Sequence, residues 1–347
     1  MDMSKGSLDA LYTKVARKVL TETLHVQKGE SITVEAWDNG LPFARRVLAE
    51  ARAMGCRAIL VYEDEEAYIE GVRRAPKEAV GMMGKNEYGM LAGTDAHIFV
   101  PGQALGVYSK SLRPKEREES TRYNSSWYEA AAKAGLRGAR LTFGYVGRDL
   151  ARLLGKSVED VVRGQLRAVF VDYDEIAGYA RRISPLLRDG AVADLRSRNS
   201  ELKFILKGEL EIEDGIVDDE DRKTGNSMTY VPPGYVAKEI DPQSANGKVT
   251  LADTLTKYGV IPHAELEFRD GVLVKWKSED GAKLRKLVDA VTPEKRRLTL
   301  LGIGLNPALR YGYGQDRFVR GALTLAGFGF TGLVSRGRLN VGASNIP

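Results

Sequence analysis

Histidine is scarce in this 347-residue chain: His25, His97 and His263 lie far apart, with no HExxH pair and no Cys/His cluster. His97 falls inside the apolar run AHIFV, where a single imidazole reads as a core or strand-end group rather than a ligand. His263, Glu265 and Glu267 alternate with Ala264, Leu266 and Phe268, so a two-residue period sets the three polar groups on one strand face. Such a row could ligate a metal, and it equally describes the solvated face of an antiparallel strand, which is the plainer reading. Cys56, the one cysteine, excludes an internal disulfide and sits in MGCRAILV as a small buried hydrophobe does. No GxSxG elbow offers a serine nucleophile. Gly327 to Gly332 match GxGxxG after the apolar run ALTLA, but too few residues follow for the helix, returning strand and acidic ribose partner of a dinucleotide site, so the segment reads as a turn.

Two charge features stand out. ELEIEDGIVDDED, residues 209 to 221, carries eight acids and reads as a hydrated loop, with cation or basic-partner binding as the alternative. From Arg296 to Pro347 there are seven arginines, one aspartate (Asp316) and no lysine, glutamate or histidine. Arg310, Arg317 and Arg320, near Tyr311 and Tyr313, could clamp a carboxylate or phosphate, because a guanidinium offers bidentate donors; solubility and internal ion pairs are the plainer use. The net charge of +5 is mild for this length and the basic residues interleave with acids, so nucleic-acid binding is not indicated. No run of about 18 apolar residues exists to span a membrane, and the first residues, MDMSKGSLDALYTK, lack the apolar core of a signal peptide; a cytoplasmic location is expected.

The elements that must position these groups come in two textures. Ser7 caps a helix with apolar residues at 8, 11, 15 and 19. The run ESITVEAW reads as a strand, LPFARRVLAEARAMG as a helix stopped by Gly55, and AILVY as a second strand: a βαβ unit, hence a parallel sheet. AHIFV adds a strand and Ser157 to Asp160 a capping box. Residues 1–190 thus form an open, Rossmann-like α/β domain. Residues 191–347 show period-two runs instead, at Leu202, Phe204 and Leu206, at Leu210 and Ile212, and in GVLVKW, followed by ten glycines from Gly302 onward; this is a β-rich domain with tight turns.

Several segments, in order, resemble landmarks of the aminopeptidase T family of metallopeptidases across nearly the whole chain: ARKVLTETLHVQKGESITVEAWDNGLPFARRVLAEARAMGCRAILVYED, GTDAHIFVPG, ELKFILKG, YVPPGYV and LGIGLNPAL. The resemblance implies an α/β N-terminal domain, a β-rich C-terminal domain carrying the active site, a homodimer, and two divalent metals that support removal of N-terminal amino acids; some relatives of the same fold use iron to open dihydroxypyridine rings. The ligands that the resemblance calls for are substituted. Tyr235 stands where the Pro-Gly-Glu-Val glutamate belongs, Leu300 where a glutamate precedes Gly-Ile-Gly-x-Asn-Pro, and Thr324 where a histidine belongs; the closing His-x-Asp pair has no counterpart between Asn340 and Pro347. A two-metal site so depleted loses its activated water, so no bound cofactor is expected. The expected function is therefore a repurposed or binding homologue that takes an anionic small molecule, peptide or protein partner near Tyr235, Arg310, Arg317 and Arg320. The alternative is a metal-dependent enzyme with a rebuilt site, for which Glu239, Asp241, Asp253, His263 and Glu265 are the nearest spare ligands.

Overall fold

The computed structural model describes residues 7–102, 114–256, 259–334, 337–342 and 344–346. The Ser7 hydroxyl accepts from the Ala10 amide and opens α1 (Leu8–Lys18), which buries Leu11 and Val15 of the predicted stripe and, beside them, Tyr12 and Ala16. The alternation of Ile32, Val34 and Ala36 becomes β1 (Ser31–Trp37); α2 (Leu41–Ala53), with Pro42 in its first turn, leads to β2 (Arg57–Glu63), parallel to β1 with Ser31 opposite Arg57. Then come α3 (Glu65–Arg74), α4 (Lys85–Ala92), β3 (Ala96–Val100), α5 (Pro114–Ala134), β4 (Arg137–Leu141), α6 (Arg148–Leu153) and α7 (Val158–Arg167). Ser157 caps α7 as its spacing predicts, accepting from the Asp160 amide. After α8 (Tyr173–Ile183), β5 (Val192–Ser197) and β6 (Ser200–Glu213) come α9 (Asp219–Thr224) and β7 (Met228–Val231). β7 lies parallel beside β4, completing a five-stranded parallel sheet of order β2-β1-β3-β4-β7.

The chain forms two compact units: Met1–Phe170 with Gly215–Pro233, and Val171–Asp214 with Gly234–Pro347. This differs from a division at residue 190. The segment 215–233 returns to the first unit because β7 supplies hydrogen-bond partners to β4, which would otherwise be an open edge. In the first unit, Val34, Ala36, Ile98, Val100, Ala139 and Leu141 form one apolar sheet face against Val15, Leu20, Phe43 and Val47. Full burial of each Val, Ile or Leu contributes about 1.5–3 kcal/mol.

The second unit is β-rich, as its period-two runs predict. It adds β8 (Tyr235–Ile240), β9 (Asn246–Thr256), β10 (Gly259–Arg269), β11 (Val272–Lys277), α10 (Gly281–Asp289), β12 (Leu298–Gly304), β13 (Leu323–Gly327), β14 (Phe330–Val334), β15 (Arg338–Val341) and β16 (Ser344–Ile346). These strands and β5 and β6 pair antiparallel in the order β11-β10-β9-β14-β13-β12-β8-β6-β5-β15-β16, and a further pairing of β6 with β9 closes six of them into a ring. Together the two units give the expected fold class: an open α/β unit and an antiparallel β-rich unit.

The acidic run is not one loop. Glu209, Glu211 and Glu213 lie in β6, where Leu210 and Ile212 continue the strand period, while Asp218 caps α9 and Asp219 to Asp221 occupy its first turn. Carboxylates there face the positive end of the helix dipole, so the sequence favours a helix start as much as a loop. Among the described residues no helix is long and apolar enough to cross a membrane.

Candidate functional site

Three neighbouring strands of the second unit bring Tyr235, Leu300 and Thr324, the positions that the resemblance singles out, onto one sheet face. Register sets Gly304 of β12 opposite Tyr235 of β8, Gly302 opposite Ala237, and Leu300 opposite Glu239. On the other side of β12, Gly302 faces Thr324 of β13, and Leu300 faces Ala326. Tyr235 and Thr324, 89 residues apart in sequence, join by a hydroxyl–hydroxyl hydrogen bond of 3.1 Å; both are buried. The space for that bond comes from Gly302: a Cβ there would lie 1.8 Å from the Tyr235 hydroxyl and 2.3 Å from Thr324 Oγ1. The tyrosine thus fills the room that glycine leaves over β12.

Tyr235 is held on its other side as well. Its ring centroid is 5.2 Å from that of Phe318, and the Arg317 guanidinium lies 5.4 Å from the Tyr235 ring centroid and 4.8 Å from that of Phe318. Burial raises the phenol's pKa above its ordinary value, the Thr324 hydrogen bond and Arg317 pull it back, and Glu211 pushes it up again. At neutral pH the site therefore presents a neutral phenol beside one guanidinium.

The arginines expected to act together divide. Arg317 reaches Tyr235, whereas Arg320 donates to the Tyr179 hydroxyl, lies 4.1 Å above that ring and sits 3.6 Å from Glu175, so its charge is directed to α8. Arg310 is exposed, as is Tyr311 beside it, and Arg336 lies outside the described residues. In the segment LGIGLNPAL the asparagine is architectural. Buried Asn306 accepts from the amides of Ala308 and Leu309 at 2.9 and 3.1 Å, and its own amide nitrogen lies 2.7 Å from where a Cβ on Gly234 (φ +112°) would sit. Only glycine at 234 permits that approach.

The donor set does not fit two divalent metals. Leu300 has no donor atom, Tyr235 and Thr324 are engaged with each other, and among the described residues no three His, Cys, Asp or Glu side chains gather as a metal ion requires. The spare ligands do not assemble around one point. Glu239 accepts from the Glu209 amide at 3.1 Å, Asp241 from the Gln243 amide at 3.0 Å, and Asp253 lies within β9. His263 sits 2.8 Å from Glu279, while Glu265 lies between Lys248 and Lys277 at 2.6 and 2.9 Å. With Glu267 held by Arg269 and Lys275, the row on β10 is an ion-pair ladder on a solvated face.

The remaining groups fall as their local sequence suggests. Cys56 is buried and its thiol donates to the Gln27 carbonyl, with burial raising its pKa. His97 is buried in β3, 3.4 Å from Glu35 and edge-on to Trp127. Gly327–Gly332 spans the hairpin between β13 and β14, and among the described residues no helix follows it. Sequence reasoning missed two site residues: Gly302, whose missing side chain makes room, and Glu211, which shares the Tyr235 face through its register with Ala237. A glycine in the middle of an apolar strand was the available signal for the first.

No protein-family profile matches the chain, and no curated protein matches it significantly. Among solved structures, wild-type AmpT from Thermus thermophilus superposes with a TM-score of 0.63 at 15% identity, over 96% of this chain and 96% of that one. The chain has the two-domain fold of AmpT. The 2,5-dihydroxypyridine dioxygenase from Pseudomonas putida KT2440 matches with a TM-score of 0.62 at 13% identity, over 98% of this chain and 96% of that one. Two differently named enzymes thus share this fold, and at such identities the likeness is one of fold alone.

Proposed function

We propose that this chain is an AmpT-fold protein that has lost dinuclear-metal peptidase chemistry and uses the same sheet face to bind an anionic ligand, a carboxylate or phosphate on a small molecule or peptide. The observation that supports this most is the Tyr235–Thr324 hydrogen bond over Gly302: two side chains at positions matched to metal ligands satisfy each other and occupy the space. Arg317, stacked beside that pair, supplies the charge an anion would need, whereas Arg320 is committed to α8 and Arg310 is simply exposed. A guanidinium on an aromatic platform is weakly hydrated, and its planar fork of donors matches the geometry of carboxylate and phosphate.

A second reading, a rebuilt metal-dependent enzyme, is favoured by one observation. Glu211, Glu213 and Glu239 share the Tyr235 sheet face by register. Titration calorimetry with inorganic phosphate and with an N-acetylated dipeptide separates the readings. Binding that disappears in Arg317→Gln supports the anion site. Absence of binding by either probe, or binding indifferent to Arg317, removes it.

A further inference from the structure

The parallel sheet of the first unit has a second face, and it carries groups that the anion site does not use. Val34, Ala36, Ala58, Ile98 and Val100 fill one face, so strand alternation turns Glu35 of β1, Ile59, Val61 and Glu63 of β2, and His97 of β3 to the other. Register sets Glu35 beside Val61, Trp37 beside Glu63, and Thr33 between Ile59 and His97. Helices cover this face incompletely. Trp127 of α5 meets His97 edge-on with ring centroids 5.2 Å apart, and Tyr68 of α3 meets Trp37 at 4.7 Å, whereas Ile59 remains 54% exposed and Val61 and Glu63 are half-buried. A strip open to solvent therefore runs along β2, apolar at Ile59 and Val61 and acidic where Glu63 adjoins Glu35.

No strong base answers the acids at that end. The Glu63 carboxyl is held above its ordinary range by partial burial, then by the charges of Glu35, Asp64 and Glu87. Tyr123 of α5 donates to Glu87, and its phenol is raised by burial, by that carboxylate and, further off, by Glu35. Among the described residues Glu35, Glu63 and Glu87 form no ion pair with a lysine or arginine, so a chain of net charge +5 keeps a local excess of negative charge here. A second observation points the same way. His97 is 1% exposed, its Nε2 faces Glu35 Oε2 from 3.4 Å, and neither ring nitrogen has a hydrogen-bond partner, which leaves unused polar capacity at the floor of the strip.

We infer that this strip binds a primary alkylamine, with its ammonium between the Glu35 and Glu63 carboxylates and its alkyl chain along Val61 and Ile59. An ammonium brings three donors and a full charge, so it can make a charge-assisted hydrogen bond to each carboxylate while Glu87 adds to the attraction. The chain covers aliphatic surface that the helices leave open. An inorganic cation suits the place less well: the described acids do not gather as a metal ion requires, and a bare ion gains nothing from Ile59 and Val61. The inference is independent of the anion site in the second unit.

Titration calorimetry of the whole chain with n-hexylamine at neutral pH and low salt reads the outcome. Saturable binding is expected, about tenfold tighter or more than that of n-hexanol, which keeps the chain and lacks the charge. This comparison needs no variant. Glu35→Gln and Glu63→Gln, each close to the original in shape, should each weaken the amine by about tenfold, whereas Glu265→Gln in the second unit should leave its affinity unchanged. Ile59→Ser, at an exposed position, should weaken n-hexylamine and not methylamine. Absence of saturable binding, equal affinity for n-hexanol, or binding indifferent to both Glu35→Gln and Glu63→Gln overturns the inference. So does displacement of the amine by an equal concentration of magnesium, which would mark a site for any cation.

Discussion

Gly302→Ala tests whether Tyr235 fills the space over β12. An added Cβ would lie 1.8 Å from the Tyr235 hydroxyl, 2.4 Å from its Cζ and 2.3 Å from Thr324 Oγ1, against an ordinary contact distance of 3.4 Å and above. The phenol must therefore retreat by about 1.6 Å, the difference between 3.4 and 1.8 Å, into a site already closed by Phe318. Overpacking of this kind costs about 1–3 kcal/mol, and the lost Tyr235–Thr324 hydrogen bond adds about 1 kcal/mol, for a total of about 2–4 kcal/mol. Urea unfolding followed by fluorescence of Trp276, the one tryptophan of the second unit, measures the loss. The same substitution in a Tyr235→Val background meets only Thr324, so its cost should fall to about 1 kcal/mol, giving a coupling of about 1–3 kcal/mol between the two positions. Equal costs in both backgrounds, within about 0.5 kcal/mol, would refute the claim that tyrosine plugs this space.

Other expectations follow from single groups. Native Cys56, buried and raised in pKa by that burial, should resist an aromatic disulfide reagent at neutral pH and react fully once urea unfolds the chain; rapid reaction of the folded protein would contradict its burial. Glu265 is held below its ordinary range by hydrogen bonds from Lys248 and Lys277. A lowered folded pKa contributes stability that is full above the ordinary glutamate value of about 4.3 and is lost as pH falls through the lowered value, so Glu265→Gln should destabilise at pH 7 but converge with wild type in acid. Because the ladder is solvent-facing, that difference should also shrink in high salt, which urea titrations at two ionic strengths check.

Much of this architecture was legible because it depends on local period. Ile32, Val34 and Ala36 alternate, α2 repeats its apolar face and Gly55 stops it, so the βαβ start could be read directly; Leu202, Phe204 and Leu206 did the same for β6. The return of residues 215–233 to the first unit was not legible, since β7 is short and its place is decided by the open edge of β4 rather than by its own sequence. The acidic run carries two readings, a strand period at Leu210 and Ile212 and a hydrated loop from its charge density, and the first holds for Glu209 to Glu213. At the site, Tyr235, Leu300 and Thr324 are singled out by the resemblance alone. That Tyr235 and Thr324 bond to each other, while Arg320 turns to α8, depends on the pairing of β8, β12 and β13, long-range information that no spacing carries. His263, Glu265 and Glu267 did share a face, but the three lysines and one arginine that neutralise the two glutamates come from flanking strands and a neighbouring residue, so the row alone did not decide between ligand and ladder.

Metal content of the purified protein tests the central claim most directly. The chain is incubated with zinc, cobalt, manganese or ferrous iron, desalted, analysed for bound metal and assayed for release of N-terminal amino acids from peptides. The account predicts metal well below one equivalent per chain and no turnover with any of the four. One or two tightly held equivalents with aminopeptidase turnover would contradict it, and would place a working metal site on the face that Tyr235 and Thr324 are argued to have closed.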